Sequence, residues 1–187
     1  MKASLPGGHL RPLDNCTITI GVGASSFAIE SKTIVLRALP DIDDTKEANY
    51  ENDEGIGRTQ PFLTYKNSGF RKIGLTLHFF VTDESDVAEI WENIRALQST
   101  VYPLEGDPYT PPKICQIKCG NIFFDAANDG ICAVCTSVGV KYDTSVAWDE
   151  NTYLPYKVDV TTSWYVVYKN SDLPGANSIL SLGIRSR

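Results

Sequence analysis

Two cysteine pairs, Cys115 with Cys119 and Cys132 with Cys135, raise the first suspicion of chemistry, because four thiolates make a complete ligand set for structural zinc. In a strand, residues four apart are separated by roughly 13 Å, and no single tetrahedral ion with bonds of about 2.3 Å bridges that gap. Both pairs sit in strand-like alternation, with Ile117 inside the first and Val134, Val138, Val140 and Tyr142 around the second. Neither is expected to curl into a zinc knuckle. Buried or sheet-face thiols are the expected state, with a Cys115, Cys119, Cys132, Cys135 zinc site as the lesser reading. Five cysteines, an odd number, also argue for free thiols over a secreted disulfide framework.

The other reactive side chains are sparse or ordinary. Only His9 and His78 could act as the base of a Ser, His and acid arrangement, and neither stands in a nucleophile motif. Gly21 to Gly23 and Gly55 to Gly57 lack the Lys and Ser/Thr of a phosphate loop. The carboxylates Asp83, Glu84 and Asp86 fall at a helix start, where acids favour the macrodipole, and Asp149 with Glu150 falls in a turn. Asp41, Asp43 and Asp44 do not have EF-hand spacing. No catalytic centre, cofactor or metal is expected from these residues.

The elements that must position them read as one mainly β domain. The chain has 187 residues, 42% of them hydrophobic, with fourteen Gly and ten Pro, which suits a single turn-rich domain with a real core. A formal charge of −6 argues against nonspecific binding to DNA or anionic lipid. Met1 to Asn15 offers neither a period nor a signal-peptide core, and no run approaches a membrane span, so a cytosolic site of synthesis and no membrane partner are expected. Short strands are expected at Cys16 to Ile20 and Thr33 to Leu39, around a flexible turn at Gly21 to Ser26. Asp41 to Gly57 is dense in carboxylates and reads as a mobile acidic loop.

The clearest strand is Phe70 to Val81, where Ile73, Leu75, Leu77, Phe79 and Val81 share one face and Gly74, Thr76, His78 and Phe80 the other. Thr59 to Tyr65 is expected to form a hairpin with it through Lys66 to Gly69. Val87, Ile90, Trp91, Ile94 and Leu97 mark one amphipathic helix, started at Thr82 or Asp83 and ended before Tyr102-Pro103. Strands are then expected at Ile114 to Cys119, Ile122 to Phe124, Ile131 to Tyr142 and Tyr153 to Tyr168, the last two as a hairpin across Asp143 to Thr152.

The segment from Tyr65 through Lys66-Asn-Ser-Gly-Phe-Arg-Lys-Ile-Gly-Leu-Thr-Leu-His-Phe-Phe80, the Trp91 to Leu97 helix, Tyr102-Pro103, Pro111-Pro112 and Gly120-Asn-Ile-Phe-Phe124 resemble one family. It is the tube-initiator or tube-adaptor family of contractile phage tails and related injection systems. The resemblance spans about Arg58 to Tyr168. It implies a tail-tube-like β-sandwich or half-barrel (α+β, mainly β) with one flanking helix, assembled as a homo-hexameric ring at the junction of baseplate and tail tube. Such a ring templates tube assembly and joins hub to tube. The implied partners are further copies of the chain, tail-tube protein, baseplate hub or spike protein and the tape-measure protein, with DNA only in passage through the lumen. The implied location is the virion tail, assembled in the host cytoplasm.

On this reading residues 1–15 are an N-terminal arm, 16–169 a single tube-like domain carrying the acidic loop at 41–57, and 170–187 a C-terminal extension too short for a lysin-motif module. The interface candidates are Phe70, Leu75, Leu77, Phe79, Val158, Val160, Trp164 and Val166. Two alternatives stand beside it. One is another baseplate or tail-terminator component. The other is a carbohydrate-binding β-sandwich of a host-recognition protein, with Trp148, Tyr153 and Tyr156 as stacking residues.

Overall fold

A computed structural model describes residues 13–21, 31–53, 60–103, 110–120, 122–123, 130–150 and 153–168, with Leu173 and Gly175. In chain order the elements are β1 (Cys16–Ile20), β2 (Lys32–Val35), β3 (Asp41–Thr45), β4 (Ala48–Asp53), β5 (Phe62–Ser68) and β6 (Lys72–Phe80). Then come α1 (Glu84–Ser99), β7 (Ile114–Cys119), β8 (Ile131–Tyr142) and β9 (Lys157–Val166). Seven strands form one antiparallel sheet in the order β2-β1-β7-β8-β9-β6-β3, and β4 pairs with β5 in a separate two-stranded sheet. The fold is mainly β with one helix, as the residue pattern predicts. No helix among the described residues is long and apolar enough to cross a membrane.

Alternation sets the core. Ile73, Leu75, Leu77 and Phe79 of β6 and Val158, Val160, Thr162, Trp164 and Val166 of β9 all point to one side and are buried. They join Cys16, Ile18 and Ile20 of β1, Ile34 of β2, Cys115, Ile117 and Cys119 of β7, and Ile131, Ala133 and Cys135 of β8 in one cluster. Helix α1 closes over this cluster with Ile90, Ile94 and Leu97, while Trp91 stays half-buried and stacks on Tyr142 at 5.9 Å. Arg37 reaches Asp86 at 2.8 Å and Glu89 at 2.9 Å, and Lys32 reaches Glu92 at 3.1 Å, so the chain at and after β2 is pinned to the helix.

One residue of irregularity preserves the alternation in β8. Cys135 pairs with Trp164, but the next rung joins Ser137 to Ser163, leaving Thr136 as a bulge. Without it the even-numbered residues after 136 would face outward, because one step of register exchanges the two faces of a strand. With it, Val138 and Val140 pack against the core and Tyr142 meets Trp91.

Three sequence expectations are corrected. Asp41 to Asp53 is not a loop but β3 and β4, for reasons developed below. The segment before β6 does not form a hairpin with it: β5 pairs with β4, and β6 pairs with β3 and β9. Ile122 and Phe123 form a turn rather than a strand, because Gly120 at φ 54° reverses the chain and donates its N–H to Asn15, which ends β7. Residues 1–12 of the arm with His9, Val22 to Ser26 of the glycine turn, Gly55 to Gly57, Phe124, and the C-terminal extension apart from Leu173 and Gly175 lie outside the described residues.

The sheet centre contains a satisfied polar chain. Trp164 Nε1 donates to Thr162 Oγ1 at 2.7 Å, and Thr162 Oγ1 donates to the Leu75 carbonyl at 3.2 Å, all without solvent exposure. A buried indole N–H that loses its acceptor bears its full desolvation cost. Thr162→Val is therefore expected to lower stability by about 1–3 kcal/mol in urea unfolding. Thr161→Val, one residue away on the exposed face, should stay within about 0.5 kcal/mol of the parent.

Candidate functional site

The acidic run forms strand because its charges find partners. Ile42 pairs with Leu75 and tucks against the core, which fixes Asp41, Asp43 and Thr45 on the opposite side and Asp44 on the same side. Asp44 receives two N–H groups from the guanidinium of Arg71, with Nε at 2.9 Å from Oδ1. Asp41 lies 3.3 Å from Nε2 of His78. A carboxylate-rich segment that is a poor strand former by propensity is thus held at a sheet edge, and acidic edge strands also discourage pairing with stray chains.

Beyond this edge the chain continues as an arm. Only Lys46 and Glu47 separate β3 from β4, and only Gly69 to Arg71 separate β5 from β6. β4 and β5 are therefore the outward continuation of the β3 and β6 pair. Every residue of β5 is exposed, as are Ala48 to Asn52 of β4. Tyr50 and Tyr65 face each other across the arm, edge to face at 5.7 Å, yet each remains 55% exposed. Phe62 and Leu63 are more than or about half exposed, at 50% and 65%. Lys66 with Glu51 at 2.8 Å and Asn49 with Asn67 at 2.8 Å hold the two strands together. A lone two-stranded ribbon is at best marginally stable in water, so this one depends on its root.

The root is tightly made. Besides the bidentate Arg71 to Asp44 pair, Gly69 N–H donates to the Glu47 carbonyl at 2.8 Å and Lys46 Nζ donates to the Gly69 carbonyl at 2.7 Å. Phe70 stacks on Tyr165 of β9 at 5.5 Å with planes 15° apart. The hydrogen bonds to Asp44 hold the Arg71 guanidinium well above its ordinary range, against the opposing effect of burial.

On the sheet face away from the core, His78 sits between two carboxylates. Nδ1 is 2.6 Å from Asp159 of β9, directly opposite in register, and Nε2 is 3.3 Å from Asp41 of β3. Lys157 extends the cluster, at 3.0 Å from Asp159 and 3.9 Å from Asp143. The hydrogen bond to Asp159 raises the His78 pKa above its usual value, although burial opposes it. Burial pushes Asp159 upward, but the bonds from His78 and Lys157 prevail and leave it below the usual carboxylate range. With both ring nitrogens facing carboxylates, this imidazole is set up to hold charge as a clamp across β3, β6 and β9 rather than to take a proton from a substrate.

Seven of the eight interface candidates are corrected by this geometry. Leu75, Leu77, Phe79, Val158, Val160, Trp164 and Val166 are core side chains, because the buried face of each strand is covered by α1 and its neighbours. Phe70 alone is exposed, at 70%, on the arm's root. The exposed apolar surface of the arm, Tyr50, Phe62, Leu63 and Tyr65, is absent from that set. Its signal in the sequence was an apolar cluster without a polar face, Phe62-Leu-Thr-Tyr65.

The cysteines divide between the two faces: Cys115, Cys119 and Cys135 are buried in the core, and Cys132 alternates to the other side. Burial pushes the Cys115 and Cys119 thiols up to about 12. Among the described residues no three His, Cys, Asp or Glu side chains gather as a metal site. Trp148, Tyr153 and Tyr156 are all exposed, and Tyr156 lines a cleft of about 330 Å³ with Val81, Thr82, Asp83, Val87, Asp149, Leu154 and Pro155.

No family model matches the chain, and a search of curated proteins finds no match.

The clamp predicts a pH dependence. A His pKa raised by folding contributes stability that is fully present below the unfolded value of about 6.5 and is lost as pH rises through the folded value. The lowered Asp159 sets the acid limit, its contribution disappearing as pH falls through its folded pKa. The urea midpoint should therefore decline as pH rises from 6 toward 8.5, and His78→Gln should flatten that decline. An unchanged slope in the variant would show that the clamp carries no linkage.

Proposed function

We propose that this protein is a structural component of a contractile tail that closes copies of itself into a ring, six-fold by the family resemblance. On this reading the ring sits at the baseplate and tail-tube junction, templates tube assembly and joins hub to tube. The observation that carries the reading is the β4 and β5 arm: a ribbon that among the described residues pairs with no other strand, exposed on both faces, bearing Tyr50, Phe62, Leu63 and Tyr65, yet anchored by a charged and stacked root. Apolar groups concentrated on a projecting element favour burial against another protein surface. The sheet edge at β2 adds a place where a neighbouring chain can pair. The net charge of −6 suits a lumen through which DNA passes without adhering. The tail-tube protein, the hub or spike and the tape-measure protein are the partners this role requires.

A carbohydrate-binding role is the second reading, favoured by the cleft that Tyr156 lines and by the exposure of Trp148 and Tyr153 nearby in the chain. Aromatic faces and nearby carboxylates are what a sugar ring and its hydroxyls would use.

Negative-stain electron microscopy and light scattering of the full chain, alone and mixed with tube and hub proteins, distinguish these roles. Rings are expected for the parent. Tyr65→Asp should shift it to monomer, by at least tenfold in assembly concentration, with its circular dichroism unchanged. A protein that stays monomeric in every mixture and binds on a glycan array, with loss on Trp148→Ala, would overturn the assembly reading.

A further inference from the structure

Cys16 and Cys119 stand apart from the other three cysteines. They are directly opposed in the β1 and β7 register, and their sulfurs are 2.9 Å apart. Gly120 N–H donates to the Asn15 carbonyl at the next position, which makes Asn15 and Gly120 a hydrogen-bonded pair and Cys16 and Cys119 a non-hydrogen-bonded one. Side chains approach most closely at such positions, with Cα atoms about 4.5 Å apart, inside the span a disulfide accepts. Cys115 instead points its thiol toward the Lys113 carbonyl, Cys135 toward that of Ser137, and Cys132 lies on the opposite face.

We propose that Cys16 and Cys119 are a reversible oxidation site, closing to a cross-strand disulfide that fastens β1 to β7 when a peroxide reaches them. The inference is independent of the ring assignment. The pair lies where β1 begins and β7 ends, with a single Asn15 to Gly120 rung beyond it, so fraying of that end admits a molecule little larger than water. One thiolate attacks a peroxide oxygen, the O–O bond breaks, hydroxide leaves, and a sulfenic S–O bond forms. The second sulfur then attacks the sulfenic sulfur; the S–S bond forms, the S–O bond breaks, and the oxygen leaves as water. Two thiols and one peroxide give one disulfide and two waters, the sulfurs losing the two electrons that peroxide gains. Burial, which raises the Cys119 thiol to about 12, makes the reaction slow near neutrality and faster as pH rises.

The consequence is structural. β2 and β1 join the rest of the sheet through the β1 and β7 seam, and a bond between residues 103 positions apart closes a long loop in the unfolded chain. Closing a loop of that length should raise the melting temperature by roughly 10 °C.

The test treats reduced, folded protein with hydrogen peroxide, blocks remaining thiols with iodoacetamide and maps the peptides. A Cys16 to Cys119 linked peptide, three blocked cysteines of the original five, and a melting temperature that rises and returns on adding dithiothreitol are expected. Cys132→Ser should behave as the parent and Cys16→Ser should lose the link. Five blocked cysteines in the parent, or a link through any other pair, would overturn the site without reference to how the variants fold.

Discussion

The seam between β6 and β9 is the constraint on which the remainder hangs. Nine consecutive rungs, from Lys72 with Tyr165 to Phe80 with Lys157, align the two longest alternating patterns in the chain. On the inner face this register stacks Ile73 on Trp164, Leu75 on Thr162, Leu77 on Val160 and Phe79 on Val158, which is the centre of the core. On the outer face the same register sets His78 opposite Asp159. A slip of β9 by one residue along β6 would turn Asp159 into the core, expose Trp164 and part Asp159 from His78, so packing and charge select the same alignment. β8, β7, β1 and β2 then extend the sheet from β9, while β3 and the arm extend from β6.

This division gives the molecule a conservative side and an exposed side. The β9 flank is covered by α1 and tied to it through Arg37 and Lys32. The β6 flank carries the charged edge and a ribbon whose apolar groups Tyr50, Phe62, Leu63 and Tyr65 are half or more exposed. Its stability rests on interactions at the root, where Arg71, Asp44, Phe70 and Tyr165 converge from four separate positions. Placing the exposed aromatic groups beyond such a root separates the surface available for contact from the residues needed for folding. Substitution at the exposed Tyr65 therefore leaves the packing around Trp164 untouched.

The elements that bury one face were legible because hydrophobic periodicity is a local signal. β6, β8, β9, β1 and α1 were each readable from alternating or three-and-four spacing, and so was the outward position of His78. What resisted was long-range compensation. Asp41, Asp43 and Asp44 read as a solvated loop until Arg71 and His78, some thirty residues on, are seen to neutralise two of them. The pairing of β5 with β4 was hidden for the same reason: Lys66 to Gly69 has turn chemistry, but the chain there passes from one sheet into the other rather than folding back. The interface set failed by a different logic. Regular apolar alternation signals burial within the chain, and exposed apolar residues such as Leu63 and Tyr65 lie outside it. Nor could spacing reveal the Cys16 and Cys119 contact, which depends on which strands become neighbours.

The continuity of β3 into β4 and of β5 into β6 has a mechanical consequence. Tension applied to the tip of the arm passes along the strands into the β3 to β6 ladder and then to the β6 to β9 seam. Force directed along paired strands loads their hydrogen bonds in parallel, as shear, whereas force at right angles would open them one rung at a time. The molecule is thus built to resist being drawn out by its arm more strongly than being peeled from its β2 edge, where a four-residue strand meets the load rung by rung.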